Sequence, residues 1–299
     1  MKVLLTGASG YLGRHVLQCL RKQGHAVTLL GRSHPAGHED LPLLRCDLLL
    51  GEADLDAALK ASDASHLLHL AWITEYGKYW SSPLNFRWVD ATLRLVEAFC
   101  RRGGRHVVVA GTCAEYDWQH GYLREASTPF TPATTYGVAK DATRRLTGAL
   151  CGLHDATLAW GHVFFPFGPG EAAQRMLPRL IDVFLGRAAA FGINAAAYRG
   201  MLYAPDAAQA FVALLEHGQG GNFNICSGQP VQLAHVVEVL AGACGSDARA
   251  VLDLASSRPD DPPMLVGENL RLLATGWRPG WTLEQGLADM VQRARMAAV

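Results

Sequence analysis

The amino-acid sequence predicts an α/β protein with a doubly wound parallel sheet between layers of helices and a smaller C-terminal α/β lobe. Three features of the 299 residues indicate this fold. Through the first half, short apolar runs typical of buried strands alternate with longer segments of helical periodicity. The first apolar run ends at a turn that contains three glycines. Beyond Phe164, prolines and glycines crowd together, which marks the start of the second lobe.

The glycine-rich turn lies between the first predicted strand and a predicted helix over residues 11–23. Gly7 permits a sharp exit from the strand, Gly10 has no side chain to block a pyrophosphate, and Gly13 lets helix and strand pack closely. The open helix N-terminus presents N–H groups and a positive dipole end to an anion. The spacing alone leaves two interpretations open, a Rossmann-type dinucleotide site or a turn without a ligand.

Further strands are predicted over residues 26–30, 43–47, 66–71 and 106–110, and helices over residues 53–59, 83–102 and, in the second lobe, around 172–185. Ligands of such sheets bind beyond the carboxyl ends of the strands. The residues expected at that edge are Gly7, Arg32, Asp47, Ala71 and Thr112. We expect residues 1–165, joined by a late segment around 205–226, to form a dinucleotide-binding domain, and residues 166–299 to form mainly a substrate-binding lobe.

The composition argues against several classes of partner. Lys plus Arg and Asp plus Glu both total 27, so no basic excess indicates a nucleic-acid or membrane-surface protein. No apolar run approaches the length that spans a bilayer. The seven cysteines are scattered without a CxxC pair, which predicts reduced thiols and a cytoplasmic protein. His66 and His69 would point to opposite faces of a strand, so no metal is expected there.

Arg32 follows the second predicted strand, where an acidic residue would bind the adenosine 2′-hydroxyl of a dinucleotide. Gly31 leaves space there, and the charge of Arg32 suits a 2′-phosphate. This pattern favours NADP(H), with NAD(H) as the alternative. A solvated loop arginine without a ligand is the other interpretation.

Tyr136 and Lys140 are four residues apart at the start of a predicted helix, so their side chains share one face. An ammonium near a phenol favours the phenolate and brings proton exchange towards neutral pH. Thr112 lies just beyond the carboxyl end of the fifth predicted strand, where its hydroxyl would hold a substrate oxygen beside Tyr136. The three residues together indicate an acid–base site.

The combination of motifs resembles the extended short-chain dehydrogenase/reductases, in the branch that acts on nucleotide sugars as epimerases, dehydratases and 4-ketoreductases. The similar segments are Gly7-x-x-Gly10-x-x-Gly13, His69-Leu70-Ala71, Thr112, Tyr136-x-x-x-Lys140, Phe167-Gly168-Pro169-Gly170, Asn222-Phe223-Asn224-Ile225 and Gly276-Trp277-Arg278-Pro279. They extend over nearly the whole chain, so the resemblance adds a substrate class to the predicted fold.

The resemblance implies three groups of site residues. The catalytic group is Thr112, Tyr136 and Lys140. The cofactor-binding group is Gly7, Ser9, Gly10, Tyr11, Leu12, Gly13, Arg32, Asp47, Leu48, Leu70, Ala71, Tyr136 and Lys140. The substrate-binding group is Thr112, Cys113, Arg199 and Arg258, with the two arginines on the nucleotide diphosphate. The resemblance also implies a homodimer formed through helices near residues 83–102 and 135–150. The apolar residues available for it, Leu93, Val96, Phe99, Leu146 and Leu150, are as well suited to face the sheet.

Several positions depart from the family pattern, mostly on the substrate side. Trp88 and Phe165 replace asparagines, His162 replaces an arginine, and Ala204-Pro205-Asp206 replaces Val-Asp-Asp. Four aromatic residues after the fourth strand either line a sugar pocket or form a packed loop core, and we favour the packed core. They are Trp72, Tyr76, Tyr79 and Trp80.

The dehydratases of this branch resemble one another in an Asp-Glu pair directly after the threonine, whereas Thr112 is followed by Cys113 and Ala114. Glu115 comes one position too late and, on a strand-like exit, would point to the opposite face. The sequence therefore predicts no 4,6-dehydratase activity, which leaves reduction of a 4-keto sugar or 4-epimerisation. Because Arg32 favours NADP(H), the expected function is an NADPH-dependent 4-ketoreductase of a nucleotide-linked keto (deoxy)sugar. The alternatives are a nucleotide-sugar 4-epimerase with bound NAD and a non-catalytic NADP-sensing protein.

Overall fold

A seven-stranded parallel sheet with helices on both faces forms the larger part of the computed structural model, which describes residues 1–50, 52–254, 256 and 261–297. The strands, in chain order, are β1 (Lys2–Thr6), β2 (Ala26–Gly31), β3 (Leu43–Arg45), β4 (His66–His69), β5 (His106–Thr112), β6 (Tyr122–Leu123), β7 (Thr157–Val163), β8 (Pro166–Phe167), β9 (Tyr198–Arg199), β10 (Leu202–Tyr203), β11 (Gly221–Ile225), β12 (Val231–Gln232) and β13 (Met264–Gly267). The helices are α1 (Tyr11–Lys22), α2 (Glu52–Leu59), α3 (Leu84–Arg101), α4 (Thr135–Leu153), α5 (Met176–Phe184), α6 (Ala204–His217), α7 (Leu233–Cys244), α8 (Arg249–Leu252), α9 (Leu270–Ala274) and α10 (Leu283–Met296).

The strand order of the large sheet is β3-β2-β1-β4-β5-β7-β11, and every neighbouring pair is parallel. From β1 the chain first builds outwards to β3 and then returns to build in the other direction from β4. Such a reversal leaves a crevice between the first loops on either side of it. The predicted fold class, a doubly wound parallel sheet, is confirmed.

The two faces of the sheet carry separate hydrophobic cores because successive strand residues point to opposite sides. Val3 and Leu5 of β1 pack in the core covered by α1 and α6, whereas Leu4 packs in the core covered by α2 and α3. Val96 and Phe99 of α3 belong to that second core, so these two candidates for a dimer contact face the sheet.

Most element boundaries agree with the sequence prediction, and three differences bear on the site. β3 ends at Arg45, so Asp47 lies in the following turn, where its carboxylate accepts the Leu49 N–H at 3.0 Å. β5 continues to Thr112 instead of ending at residue 110. The helix predicted around residues 172–185 begins only at Met176, because the segment before it forms a turn in which the Arg175 N–H bonds to the Ala172 carbonyl at 2.9 Å.

The remaining elements surround a third core of buried side chains from α5, α7 and α10. A small sheet in the order β12-β9-β13-β6 lies beside it. Two elements from this part of the chain belong to the large sheet instead. β11 pairs with β7, and α6 packs on the same face of the sheet as α1. Within the described ranges, no helix is long and apolar enough to cross a bilayer.

Candidate active site

A cleft of about 1060 Å³ lies at the carboxyl edge of the large sheet and is closed on its far side by residues that follow β7. Its lining contains all the described residues that the sequence assigned to the site: Gly7, Ser9, Gly10, Tyr11, Leu12, Gly13, Arg32, Asp47, Leu48, Leu70, Ala71, Thr112, Cys113, Tyr136, Lys140 and Arg199. Arg258, the remaining candidate, lies outside the described residues. The structure thus brings the cofactor, catalytic and substrate candidates into one space.

The glycine turn leaves the N-terminus of α1 open towards this cleft. Gly10 is the N-cap, no side chain caps the helix, and no acidic residue occupies the first turn. Gly7 has φ +73°, and a Cβ there would approach the Ala71 nitrogen to 2.7 Å. A Cβ at Gly13 would lie 2.0 Å from the Gly7 carbonyl oxygen. Both positions therefore require glycine, and the uncapped N–H groups fit a pyrophosphate of a dinucleotide.

Arg32 lies at the rim of the cleft, directly after β2. Its backbone carbonyl accepts a hydrogen bond from Arg45 at 3.3 Å. In the described part of the chain its guanidinium has neither an ion pair nor a hydrogen bond, so its charge is available to an anion.

The floor beneath the turn is fixed by a buried histidine. His69 bonds through Nδ1 to the Thr6 hydroxyl at 2.7 Å and through Nε2 to the Thr92 hydroxyl at 3.0 Å. Burial lowers the pKa of His69 to about 3, so its ring is neutral at physiological pH. The imidazole therefore ties β1, β4 and α3 together where Leu70 and Ala71 enter the cleft.

Tyr136 is held at the first turn of α4, where the Thr134 hydroxyl caps the helix by accepting the Gly137 N–H at 3.0 Å. Its ring meets Tyr79 and Trp80 edge-on, with centroids 5.0 and 5.7 Å away. Burial raises the pKa of Tyr136 above its ordinary value, and a hydrogen bond with the Thr112 side chain opposes that rise. The phenol therefore retains its proton at neutral pH in this state.

Lys140 lies one turn further along α4 and is buried. Its ammonium donates to the Ala110 carbonyl at 2.8 Å and lies 3.8 Å from the centre of the Trp72 ring. No hydrogen bond links it to Tyr136 within the described residues. Burial lowers the pKa of Lys140 to about 7, with the charge of Glu115 acting in the other direction.

The aromatic residues after β4 line the cleft, so packing in a loop core, the alternative that we favoured, describes only part of their environment. They are Trp72, Tyr76, Tyr79 and Trp80. They also pack on each other and on their neighbours, as in the stacking of Trp72 on Trp88 at 6.1 Å. The cleft therefore has one aromatic wall, which suits the flat faces of sugar and base rings.

Cys113 lines the cleft as a thiol, because burial raises its pKa to about 12. Glu115 is fully buried away from the cleft, as the sequence predicted, but the stated reason was wrong. The chain leaves β5 as a 3-10 helix (Cys113–Glu115) instead of a continued strand, and this turn directs the carboxylate inwards. No carboxylate follows Thr112 into the cleft in the described structure.

Arg199 is buried at the opposite wall and is held by three acceptors. It donates to the Tyr198 and Pro262 carbonyls at 2.8 and 2.9 Å and to the Asp261 carboxylate at 2.6 Å. Its guanidinium also lies 5.5 Å from the centre of the Phe165 ring. Phe165 has φ +25°, which is unusual for a residue other than glycine and marks a constrained position in the wall.

Asp261 and Arg175 also line the cleft, and sequence reasoning did not identify them. Arg175 bonds to Glu171 at 2.9 Å, a carboxyl whose pKa burial raises to about 7. The four-residue spacing of Glu171 and Arg175 was the signal that the sequence offered for Arg175, and opposite charges at this spacing are common on protein surfaces. The place of Asp261 and Arg175 in the cleft follows from the fold of the second lobe, which no local pattern encodes.

Comparison with known proteins agrees with this geometry. The profile of the NAD dependent epimerase/dehydratase family matches residues 3–226. A GDP-6-deoxy-D-mannose reductase from Pseudomonas aeruginosa is 26% identical over 96% of this chain and 94% of its own. A UDP-glucose 4-epimerase from Azospirillum brasilense is 29% identical over 93% of this chain and 87% of its own. The solved structure of MoeE5 in complex with UDP-glucuronic acid and NAD superimposes with a TM-score of 0.85 at 26% identity, covering 99% of this chain and 100% of that one.

The family profile spans well over half of the chain, and the relatives above align along nearly all of it. The resemblance drawn from the sequence motifs is thereby confirmed. The chain belongs to the NAD-dependent epimerase/dehydratase family of extended short-chain dehydrogenase/reductases, which are nicotinamide-dependent enzymes acting on nucleotide sugars.

Proposed function

We propose that this protein is an NADPH-dependent 4-ketoreductase of a nucleotide-linked keto (deoxy)sugar. The observation that carries the proposal is the placement of Tyr136 as a protonated phenol beside Thr112, in the same cleft as the uncapped glycine turn. A reduction needs an acid for the carbonyl oxygen, and a phenol that retains its proton supplies one. The reductase among the similar proteins also supports this reaction type.

The lining of the cleft supports a role for each described residue that the sequence assigned to the site. A bound nicotinamide supplies the hydride. Thr112 holds the substrate oxygen, and Tyr136 donates its proton to that oxygen. Lys140, whose pKa burial lowers to about 7, tunes the proton exchange of Tyr136 through its charge and holds the nicotinamide ribose. Arg199, Arg258 and Cys113 bind the nucleotide sugar, and the other lining residues predicted from the sequence bind the cofactor.

A second candidate is a nucleotide-sugar 4-epimerase that keeps NAD bound. The UDP-glucose 4-epimerase relative and the NAD found with MoeE5 favour it. In an epimerase, Tyr136 would both accept and donate the proton of the sugar oxygen. Arg32, whose guanidinium has no ion pair in the described part of the chain, favours NADP(H) and hence the reductase. Family membership and the catalytic trio oppose the third alternative, a non-catalytic NADP sensor.

We also propose that different parts of the chain bind the cofactor and the substrate, and that the protein is cytoplasmic. Residues 1–165, with the segment around 205–226, form the cofactor-binding domain, and residues 166–299 form mainly the substrate lobe. The pairing of β11 with β7 supports the inclusion of the late segment. The scattered cysteines support a reducing compartment.

Purified protein should carry little bound cofactor. It should oxidise NADPH only after a keto-sugar nucleotide is added, and the amount of NADPH consumed should equal the amount of sugar nucleotide reduced. A panel of nucleotide sugars, with NADPH and NADH consumption followed spectroscopically, measures this. Tightly bound NAD, together with sugar interconversion that needs no added cofactor, would establish the epimerase instead.

Tyr136→Phe should lower turnover by about a hundredfold or more and leave cofactor affinity nearly unchanged, because the hydroxyl donates the proton and does not dock the cofactor. Tyr116→Phe is the matched control, since it removes a buried hydroxyl that bonds to Asn224 outside the cleft. A Tyr136→Phe enzyme with more than about a tenth of wild-type turnover would exclude Tyr136 as the acid.

Arg32→Ala should weaken NADPH binding roughly ten- to a hundredfold and leave NADH binding nearly unchanged, because a charge-assisted contact with phosphate contributes about 1.5–3 kcal/mol. Calorimetric titration of both cofactors measures the difference. Arg45→Ala is the control, as this neighbouring arginine is exposed and does not line the cleft. An equal loss for both cofactors would show that Arg32 does not bind the 2′-phosphate.

We propose, finally, that the protein is a homodimer that pairs α3 and α4 with their copies. Phe86 of α3 and Leu146 and Leu153 of α4 support this, because they are apolar and 58%, 49% and 81% exposed. Light scattering at micromolar concentration should give twice the 32.3 kDa mass of the chain. Leu146→Glu should reduce the mass towards that of one chain, and a wild-type monomer would contradict the proposal.

A further inference from the structure

Glu115 is a fully buried carboxylate directly behind the catalytic residues, and none of the proposed roles uses it. Its Oε1 accepts the Thr112 N–H at 2.7 Å, and its Oε2 accepts the Trp160 indole N–H at 2.9 Å. The Thr112 hydroxyl in turn accepts the Ala114 N–H at 3.2 Å, and Thr112 and Glu115 together form a reciprocal capping box. The carboxylate therefore fixes the turn that carries the Thr112 hydroxyl.

The surrounding structure is shaped around this carboxylate. A Cβ at Gly111 would lie 2.6 Å from Glu115 Oε1 and 2.0 Å from the Trp160 indole nitrogen, so no larger residue fits there. Arg144 of α4 approaches Oε2 to 3.6 Å, and His162 of β7 approaches it to 3.3 Å. Neither ring nitrogen of His162 has a hydrogen-bond partner in the described structure, so His162 faces the carboxylate without a hydrogen bond to it.

The charge of Glu115 acts on both residues of the proposed proton exchange. It raises the pKa of Tyr136 and, independently, the pKa of Lys140. The titratable and charged groups that face Glu115 or its partners come from α4, from β7 and from its own turn. They are Tyr136, Lys140, Asp141, Arg144, His162, Cys113 and Tyr116. Asp141 pairs with Arg144 at 2.6 Å and so draws part of that positive charge away from Glu115.

We propose that Glu115 is a positioning residue of this active site: its carboxylate holds Thr112 in place at the cleft and places a negative charge behind Tyr136 and Lys140. The inference rests on the proposed function, which assigns Thr112, Tyr136 and Lys140 to the reaction. His162 and Arg144 belong to the same arrangement, because they are the groups that face the carboxylate.

Two substitutions separate the two effects. Glu115→Gln keeps an acceptor for the Thr112 N–H but removes the charge, and Glu115→Asp keeps the charge but withdraws it by one methylene. Glu125→Gln is the matched control, since Glu125 is also buried and accepts a backbone N–H, that of Asn224, at 2.8 Å, but does not act on the pKa of Tyr136 or Lys140. The measurements are the pH profile of kcat/KM, cofactor affinity, and NMR titration of the Lys140 side chain, assigned with Lys140→Arg.

In Glu115→Gln, the pH profile and the Lys140 titration should both move to lower pH by about half a unit or more, with kcat at the optimum within a few-fold of wild type. In Glu115→Asp, kcat should fall about tenfold with an unshifted profile and unchanged cofactor affinity. Glu125→Gln should match wild type in all three measurements.

A Glu115→Gln titration that coincides with wild type, or a Glu115→Asp enzyme with wild-type kcat, overturns the inference. The Lys140 titration needs no substrate, so it remains decisive if either variant is hard to assay. A wild-type protein that turns over no nucleotide sugar contradicts the proposed function, whereas an active enzyme with an unshifted Lys140 titration contradicts the role of Glu115 alone.

Discussion

The whole site depends on one close approach of backbone to backbone, at the point where the order of the strands reverses. Gly7 leaves β1 with a positive φ against the backbone of Ala71, and Gly13 of α1 rests on the carbonyl of Gly7. These contacts draw the end of β1, the start of α1 and the exit of β4 together with no side chain between them. The resulting crevice has a wall of free N–H groups, and every other element of the site is placed relative to it.

The second lobe and the aromatic segment after β4 complete that crevice from the opposite side. The aromatic side chains cover the buried Lys140 and pack edge-on against the half-buried Tyr136, and burial is the main cause of the shift of both pKa values. Burial therefore brings the pKa of Lys140 down to about 7. The aromatic wall supplies the interaction that bulk water would otherwise provide, because its ammonium lies over the Trp72 ring.

The sequence was sufficient for the alternating strands, the glycine turn and the helical spacing of Tyr136 and Lys140, because each of these depends on local periodicity. It was insufficient where the direction of a side chain depends on a turn or a distant partner. Glu115 points inwards because a 3-10 helix follows β5, and two of the acceptors of Arg199, Asp261 and Pro262, lie some sixty positions later in the chain. The aromatic residues after β4 gave no periodic signal that separates a wall of a cleft from a core.

The uncapped N-terminus of α1 has a consequence for the stability of the folded chain. Glycine at the N-cap costs this helix only a few tenths of a kcal/mol relative to a capping side chain, and an anion bound at the free N–H groups adds stability of its own. The chain is therefore more resistant to local opening when its crevice is filled than when it is empty. An empty crevice leaves the N–H groups of the first turn to water, so the free energy of unfolding of the chain rises with the concentration of the anion that fills it.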